Sequence, residues 1–281
     1  MKERVASGIT LLIFLSAIVV FNDSFPTALN IAISLVSALA VYEIISALGL
    51  AKNCVLIVPS IVFSAIYPLI PLFISQQKQL NIVQQAAYFA YTVVIFGALI
   101  FYHKFLTFRE VGVIYSMSLL IPSALGTIIN LRTFGGSHGM FYVIIAIFSA
   151  WIADTGAYFA GSLCGKHKLC PGISPKKTIE GVIGGFVLNI IAMIVFGYIF
   201  HTVYYEYSVD ISYVTLFIIG FFGTIMSILG DLSFSLIKRS CHIKDFGEII
   251  PGHGGILDRF DSVIFEAPFV YFLVQLMPIV L

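Results

Sequence analysis

The chain has 281 residues, 59% of them hydrophobic and only 10% charged, with a formal net charge of +1. A mean hydropathy of +1.03 lies far outside the soluble globular range and excludes a water-soluble domain of ordinary composition. Nothing in the charge pattern calls for a nucleic-acid partner.

Apolar runs of about 17–25 residues, the length that crosses roughly 30 Å of hydrocarbon, recur from one end of the chain to the other. They predict nine spans, at 5–21, 28–50, 54–74, 86–102, 111–131, 140–160, 182–203, 211–232 and 263–281. The runs lack period-2 alternation, which argues against a β-barrel. The expected fold class is therefore all-α, a polytopic integral membrane protein of about nine transmembrane helices. Residues 1–21 imitate a signal peptide, with Lys2 and Arg4 ahead of an apolar stretch. Phe-Asn-Asp-Ser-Phe-Pro then follows in place of a small-residue cleavage site, so a retained first helix is expected.

With the N-terminus cytoplasmic, thirteen of the fifteen Lys and Arg residues fall in inside loops, and only Lys78 and Arg132 fall outside. That bias follows the positive-inside rule and predicts that loops 161–181 and 233–262 both face the cytoplasm. Cys54, Cys164, Cys170 and Cys241 form no Cys-x-x-Cys pair. Together with His167 and His242 they match no zinc spacing, so reduced thiols are expected.

Residues 1–140 read as scaffold, with short connections and Glu43 as the acid within their spans. An interfacial or helix-paired carboxylate is the expectation for Glu43. Residues 141–281 read as the working half of one structural unit, with both long polar loops and with Asp154, Asp231 and Glu266 near helix ends. Asp154 lies among the small residues Ala153, Gly156, Ala157 and Ala160, which favour close helix approach and a partnered carboxylate; Thr155 offers a local hydroxyl cap. Glu266 is expected to support the adjacent loop or to be structural.

Gly161-Ser-Leu-Cys-Gly-Lys166 fails as a phosphate loop, because its glycines are four apart and His167 follows the lysine. Ser174-Pro-Lys176-Lys177-Thr178, just before the seventh span, suits a polyanion, since lysines and helix N-terminal N–H groups both bind phosphate. The same lysines would also serve as positive-inside anchors. The strongest constellation is 233–261. Asp258 and Asp261 are three apart and share a helix face, with Asp231 upstream. Carboxylates gathered at a membrane boundary repel one another unless a cation neutralises them, and hard oxygen donors suit Mg²⁺. Gly252, Gly254 and Gly255 around His253 allow backbone to approach phosphate oxygens, while Lys238, Arg239, Lys244 and Arg259 add positive charge.

The run Ser235-x-x-Lys238-Arg239-x₄-Lys244-Asp245-x-Gly247-x₂-Ile250-Pro251-x-His253-Gly254-Gly255-x-x-Asp258-Arg259-x-Asp261 resembles the signature of the phosphatidate cytidylyltransferases, also called CDP-diacylglycerol synthases. Asp154-Thr-Gly-Ala-Tyr-Phe and Ser174-Pro-Lys-Lys-Thr-x-Glu-Gly181 match that family's pattern too, whereas Ser162, Leu163 and Cys164 stand where bulkier or basic residues are usual. The resemblance implies transfer of CMP from CTP to phosphatidate, giving CDP-diacylglycerol and pyrophosphate, with Mg²⁺ required. It implies a multi-pass protein of a bacterial-type inner membrane with its active site on the cytoplasmic face; a homodimer is compatible with it.

On that basis Asp231, Asp258 and Asp261 are the expected metal ligands, with room for a second cation about 4 Å from the first. Lys238 and His253 join them as catalytic residues. Asp154, Ser174, Lys176, Lys177, Thr178, Arg239, Lys244 and Arg259 are the expected substrate-binding set, with His253 and Arg259 supporting the pyrophosphate or the loop. A different lipid phosphate, such as an isoprenoid-linked one, is the nearest alternative substrate. An anion transporter is a more distant alternative, since it calls for repeated halves and mid-membrane polar groups that the chain lacks.

Overall fold

The computed structural model describes residues 24–50, 53–74, 76–249 and 254–281. The expected first span at 5–21, the N-terminal cations Lys2 and Arg4, and also Lys52, Gly252 and His253 lie outside them. The described chain forms α1 (Ala28–Ala47), α2 (Cys54–Ile66), α3 (Ile70–Phe73), α4 (Gln77–Phe101), α5 (Phe108–Phe134), α6 (Gly139–Cys164), β1 (Lys168–Cys170), β2 (Ser174–Thr178), α7 (Ile179–Ile199), α8 (Tyr213–Ser240) and α9 (Leu257–Leu276). Among the described residues, seven helical segments are long and apolar enough to cross a membrane: 28–47, 54–73, 77–101, 108–134, 136–164, 179–204 and 213–240. The chain is an integral membrane protein. The last expected span is helical over α9, a 20-residue helix that carries Asp258, Arg259, Asp261 and Glu266 in its first half.

Two boundaries differ from expectation in ways that matter. Helix α8 does not stop near residue 232 but runs to Ser240, so Asp231 lies within a helix and Lys238 and Arg239 occupy its last turn. Cations are favoured there by the partial negative charge of the helix C-terminus. Loop 161–181 is not irregular either: β1 and β2 pair antiparallel, with Lys168 opposite Thr178 and Cys170 opposite Ser174. The all-α expectation is amended by this one hairpin.

The chain divides into two compact units that are not consecutive halves. One holds residues up to Ile129 together with Cys241–Arg259, the other Asn130–Ser240 together with Phe260–Leu281. In the first, α1 packs on α2, where the Ser34 hydroxyl donates to the Ala65 carbonyl at 2.5 Å. Pro68 and Pro71 cannot continue the α2 hydrogen-bond ladder, and the chain tightens over Tyr67–Leu69 before α3. An aromatic stack fixes α2 against α4: Phe63 lies 4.5 Å from Tyr91 between ring centroids, and the Tyr91 hydroxyl pairs with Ser60 at 2.9 Å.

The second unit is built on the close approach of α6 and α7, the most extensive helix pair in the protein. With lipid as apolar as leucine, small residues that let backbones touch are what hold such helices together. A Cβ on Gly156 would lie 2.9 Å from both the Gly184 carbonyl and Leu188 Cβ, and one on Gly185 would lie 2.9 Å from the Ala153 carbonyl. Asn189 of α7 ties three helices, donating to Ser149 Oγ of α6 at 2.9 Å and, in α8, to Gly220 O at 3.2 Å and Thr224 Oγ1 at 3.1 Å.

Gly156→Val should therefore overpack the α6–α7 seam and lower stability by about 1–3 kcal/mol. Thermal unfolding of the detergent-solubilised protein reads this as a clear drop in melting temperature, while the same change at the open position Gly97 should leave it nearly unchanged.

Candidate active site

Within the second unit, α6, α8 and α9 each present one aspartate, and the three interact electrostatically. Asp154 has Asp231 as a charged neighbour, and Asp261 has Asp231, Lys238 and Asp154. A lone aspartate near mid-membrane costs about 2.5–3.5 kcal/mol, so each must find partners. Asp154 finds two hydroxyls from other helices: Ser227 of α8 donates to Oδ1 at 3.0 Å, and Ser262 of α9 donates to Oδ2 at 2.6 Å. Thr155, expected to cap it locally, instead donates to the Trp151 carbonyl one turn back at 2.6 Å.

Asp231 is held on both oxygens. Ser235, one turn along α8, donates to Oδ1 at 3.1 Å, and Lys177 Nζ from β2 lies 2.5 Å from Oδ2. Asp261 is buried, and its Oδ1 accepts the Ser262 backbone N–H at 2.8 Å. Lys238, itself buried, supplies positive charge to it from the last turn of α8.

The β-hairpin delivers the lysines. Thr178 ends β2 and caps α7, its hydroxyl oxygen accepting the Gly181 N–H at 3.1 Å. That oxygen serves the helix start; Lys177 beside it is partly buried, while Lys176 stays exposed. Glu180 fastens the other strand, accepting the backbone N–H groups of Lys166 at 3.1 Å and His167 at 3.2 Å, and pairing with His167 Nδ1 at 2.6 Å. Arg239 Nε donates to the Ile173 carbonyl in the hairpin turn at 3.4 Å.

A cavity of about 440 Å³ opens over this arrangement, a size typical of small-molecule sites. Asp154, Asp231, Ser174, Lys168, Lys176 and Lys177 provide its polar wall, and Ala157, Tyr158, Val182 and Ile228 its apolar one. Of the expected site residues, the unit therefore gathers Asp154, Asp231, Asp261, Lys177 and Lys238, with Ser174, Lys176 and Thr178 on the cavity. Lys168, Ser227 and Ser262 were not anticipated, whereas Tyr158 stands in the Asp154-Thr-Gly-Ala-Tyr-Phe run that matches the family pattern. Serines in an apolar helix carry no sequence signal. Glu266 is fully buried deeper in the same unit, against Ser149 and the bare face of Gly223.

Asp258, Lys244 and Arg259 belong to the other unit. Lys244 and Arg259 are exposed, and Asp258 Oδ2 accepts the backbone N–H groups of Phe246 at 2.9 Å and Gly255 at 3.0 Å. Gly254 adopts a left-handed φ of +84°, open to glycine at no steric cost. The glycines thus have a local structural use beside the expected approach to phosphate. Among the described residues, no three Asp, Glu, His or Cys side chains form a ready-made metal cage. Mg²⁺ commonly takes only one or two protein carboxylates and completes its shell with water and phosphate oxygens, so the acid pair Asp231 and Asp261 fits it chemically.

The model of the family described as the cytidylyltransferase family matches residues 2–277. A protein of Bacillus subtilis named phosphatidate cytidylyltransferase is 41% identical over 170 residues, 60% of this chain and 60% of that protein. Proteins of the same name from Staphylococcus haemolyticus and Staphylococcus aureus are each 46% identical over 132 residues, 47% of this chain and 48% of theirs. The chain thus aligns with between about half and three-fifths of these relatives' own length.

Lys177 and Asp231 are each about three-quarters buried, so removing one partner leaves a poorly solvated charge. Lys177→Met and Asp231→Asn should each lower the melting temperature of the purified protein, and the double variant should recover part of the loss. A coupling of about 0.5–3 kcal/mol is expected from the cycle; strict additivity would show that the pair is not an interacting one.

Proposed function

The chain belongs to the cytidylyltransferase family, and from that premise we propose that it transfers the CMP group of CTP to phosphatidate, yielding CDP-diacylglycerol and pyrophosphate. The observation that carries this reading is the two-faced cavity, with lysines and a serine on one wall and bilayer-type residues on the other. A ligand that is both a phosphate and a lipid needs both walls. The relatives' shared name points the same way.

In the proposed reaction a phosphatidate phosphate oxygen attacks the α-phosphorus of CTP, and the bond to the β-phosphate oxygen breaks as pyrophosphate leaves. The attacking group is already an anion, so no side-chain nucleophile is required; the protein positions two polyanions and offsets their charge. Lys176 and Lys177, with Lys168 beside them, bind phosphates, and Ser174 donates a hydrogen bond. Lys238 supplies positive charge beside Asp261, and Ser227 and Ser262 orient Asp154 by hydrogen bonds. Asp231 and Asp261 are the proposed ligands of a Mg²⁺ ion, with Asp258, one helical turn before Asp261, as a third from sequence spacing. Bound there, Mg²⁺ would offset phosphate charge and help orient the oxygens of the triphosphate. The positive-inside bias supports a cytoplasmic site, where CTP is available.

Purified protein given labelled CTP, phosphatidate and Mg²⁺ should yield label in the lipid extract as CDP-diacylglycerol, and chelation by EDTA should abolish it. Asp231→Ala and Asp261→Ala should each reduce kcat by about 10²–10³-fold. Lys176→Ala should raise KM for CTP about tenfold with little change in kcat, the pattern of lost uniform binding. Folded protein that labels no lipid rejects the reading, and label on polyprenyl phosphate in place of phosphatidate reassigns the acceptor.

A further inference from the structure

Glu43 lies in α1, where an interfacial or helix-paired carboxylate was expected. In the structure it is 2% exposed, and its carboxylate faces the glycine-rich signature 213 residues away in sequence. Oε1 accepts the Ile256 N–H at 2.9 Å and Oε2 accepts the Leu257 N–H at 2.8 Å. These amides sit at the start of α9, where no intrahelical carbonyl is available to them. The positive end of the helix dipole favours an anion at this point.

Two signature glycines are fitted to the same carboxylate. A Cβ on Gly247 would lie 2.7 Å from Oε1, and a Cβ on Gly255 would lie 2.5 Å from Oε2. From the other side of the turn, Asp258 accepts the N–H groups of Phe246 and Gly255. Phe246 and Gly255–Leu257 are therefore pinned by two acids, one from the signature and one from α1. Burying a carboxylate is costly without such partners, and a neutral amide at position 43 would turn an N–H₂ donor toward a backbone N–H.

We propose that Glu43 is a positioning residue for the transfer reaction: through the Ile256 and Leu257 N–H groups and its close fit against Gly247 and Gly255 it sets the first turn of α9, and with it the placement of Asp258 and Arg259. This inference rests on the proposed cytidylyl transfer. Residues that orient ligands from behind typically change metal affinity or activity 10–100-fold when replaced.

Glu43→Gln should lower kcat/KM about 10–100-fold and raise the Mg²⁺ concentration for half-maximal activity. Gly255→Ala, which displaces the carboxylate by steric contact, should give the same phenotype. In a Glu43→Ala background the added methyl has room, so Gly255→Ala should cost little more. That non-additivity is a readout that general loss of stability does not produce. Melting temperatures separate folding from function, and if Glu43→Gln fails to fold, Gly255→Ala and the double variant carry the test. Wild-type protein that makes no CDP-lipid brings down both readings. An active wild type with unaltered kcat/KM and Mg²⁺ midpoint in Glu43→Gln, or additive losses in the cycle, overturns this inference alone.

Discussion

Carboxylates in a low-dielectric environment must be partnered, and the second unit is organised around meeting that demand three times. Asp154, Asp231 and Asp261 interact with one another, which raises the cost of each charge above that of burial alone. Lys177 and Lys238 offset part of it, and Ser227, Ser235 and Ser262 supply hydrogen bonds. The local folding follows from that need. Helix α8 extends to Ser240 and so carries Asp231, Ser235 and Lys238 on one continuous element. The hairpin between α6 and α7 brings Lys177 to Asp231. The glycine seam of α6 and α7 sets how closely the hairpin's two ends are held, with Gly161 packing against Thr178 and Gly181.

The first unit meets the same demand with different chemistry. Glu43 and Asp258 are partnered by backbone N–H groups, dipoles fixed in direction by the turn that carries them. An ammonium at the end of a four-carbon stem can follow a substrate phosphate; a backbone amide at a helix start cannot. Lysine partners therefore suit a site where charge is exchanged during a reaction, and amide partners suit a turn that has to stay in place. Gly247 and Gly255 are small because a carboxylate occupies the volume of their missing side chains, and Gly254 beside them takes a left-handed φ.

The hydrophobic pattern made the membrane class and seven of the spans legible, because length and apolarity are local properties. The grouping of Asp231 and Asp261 was legible in part, since acids are rare enough beside spans to be conspicuous. The hairpin was not: Lys168–Cys170 and Ser174–Thr178 are short, polar and interrupted by proline, so they lack alternation. The partners of Asp154 were missed for a different reason. Ser227 and Ser262 lie 73 and 108 residues from it, and serine in an apolar helix usually bonds its own preceding turn, as Thr155 does here. Glu43 shows the limit most clearly. Its surroundings in α1 are apolar, and only chain closure over more than two hundred residues reveals what it holds.

The balance of charge in the second unit bears on how the proposed substrates would bind. Three interacting acids face two closely associated ammonium groups. Lys168 and Lys176 lie on the same cavity without a carboxylate as close as that of Lys177. A nucleoside triphosphate drawn in by the lysines would meet repulsion from the acids, and a divalent cation drawn in by the acids would lack phosphate oxygens to complete its shell. Each ligand relieves the other's difficulty, so their binding free energies are coupled and the coupling is reciprocal. An acid floor beside a basic wall would in this sense suit the proposed metal–nucleotide pair better than either component alone.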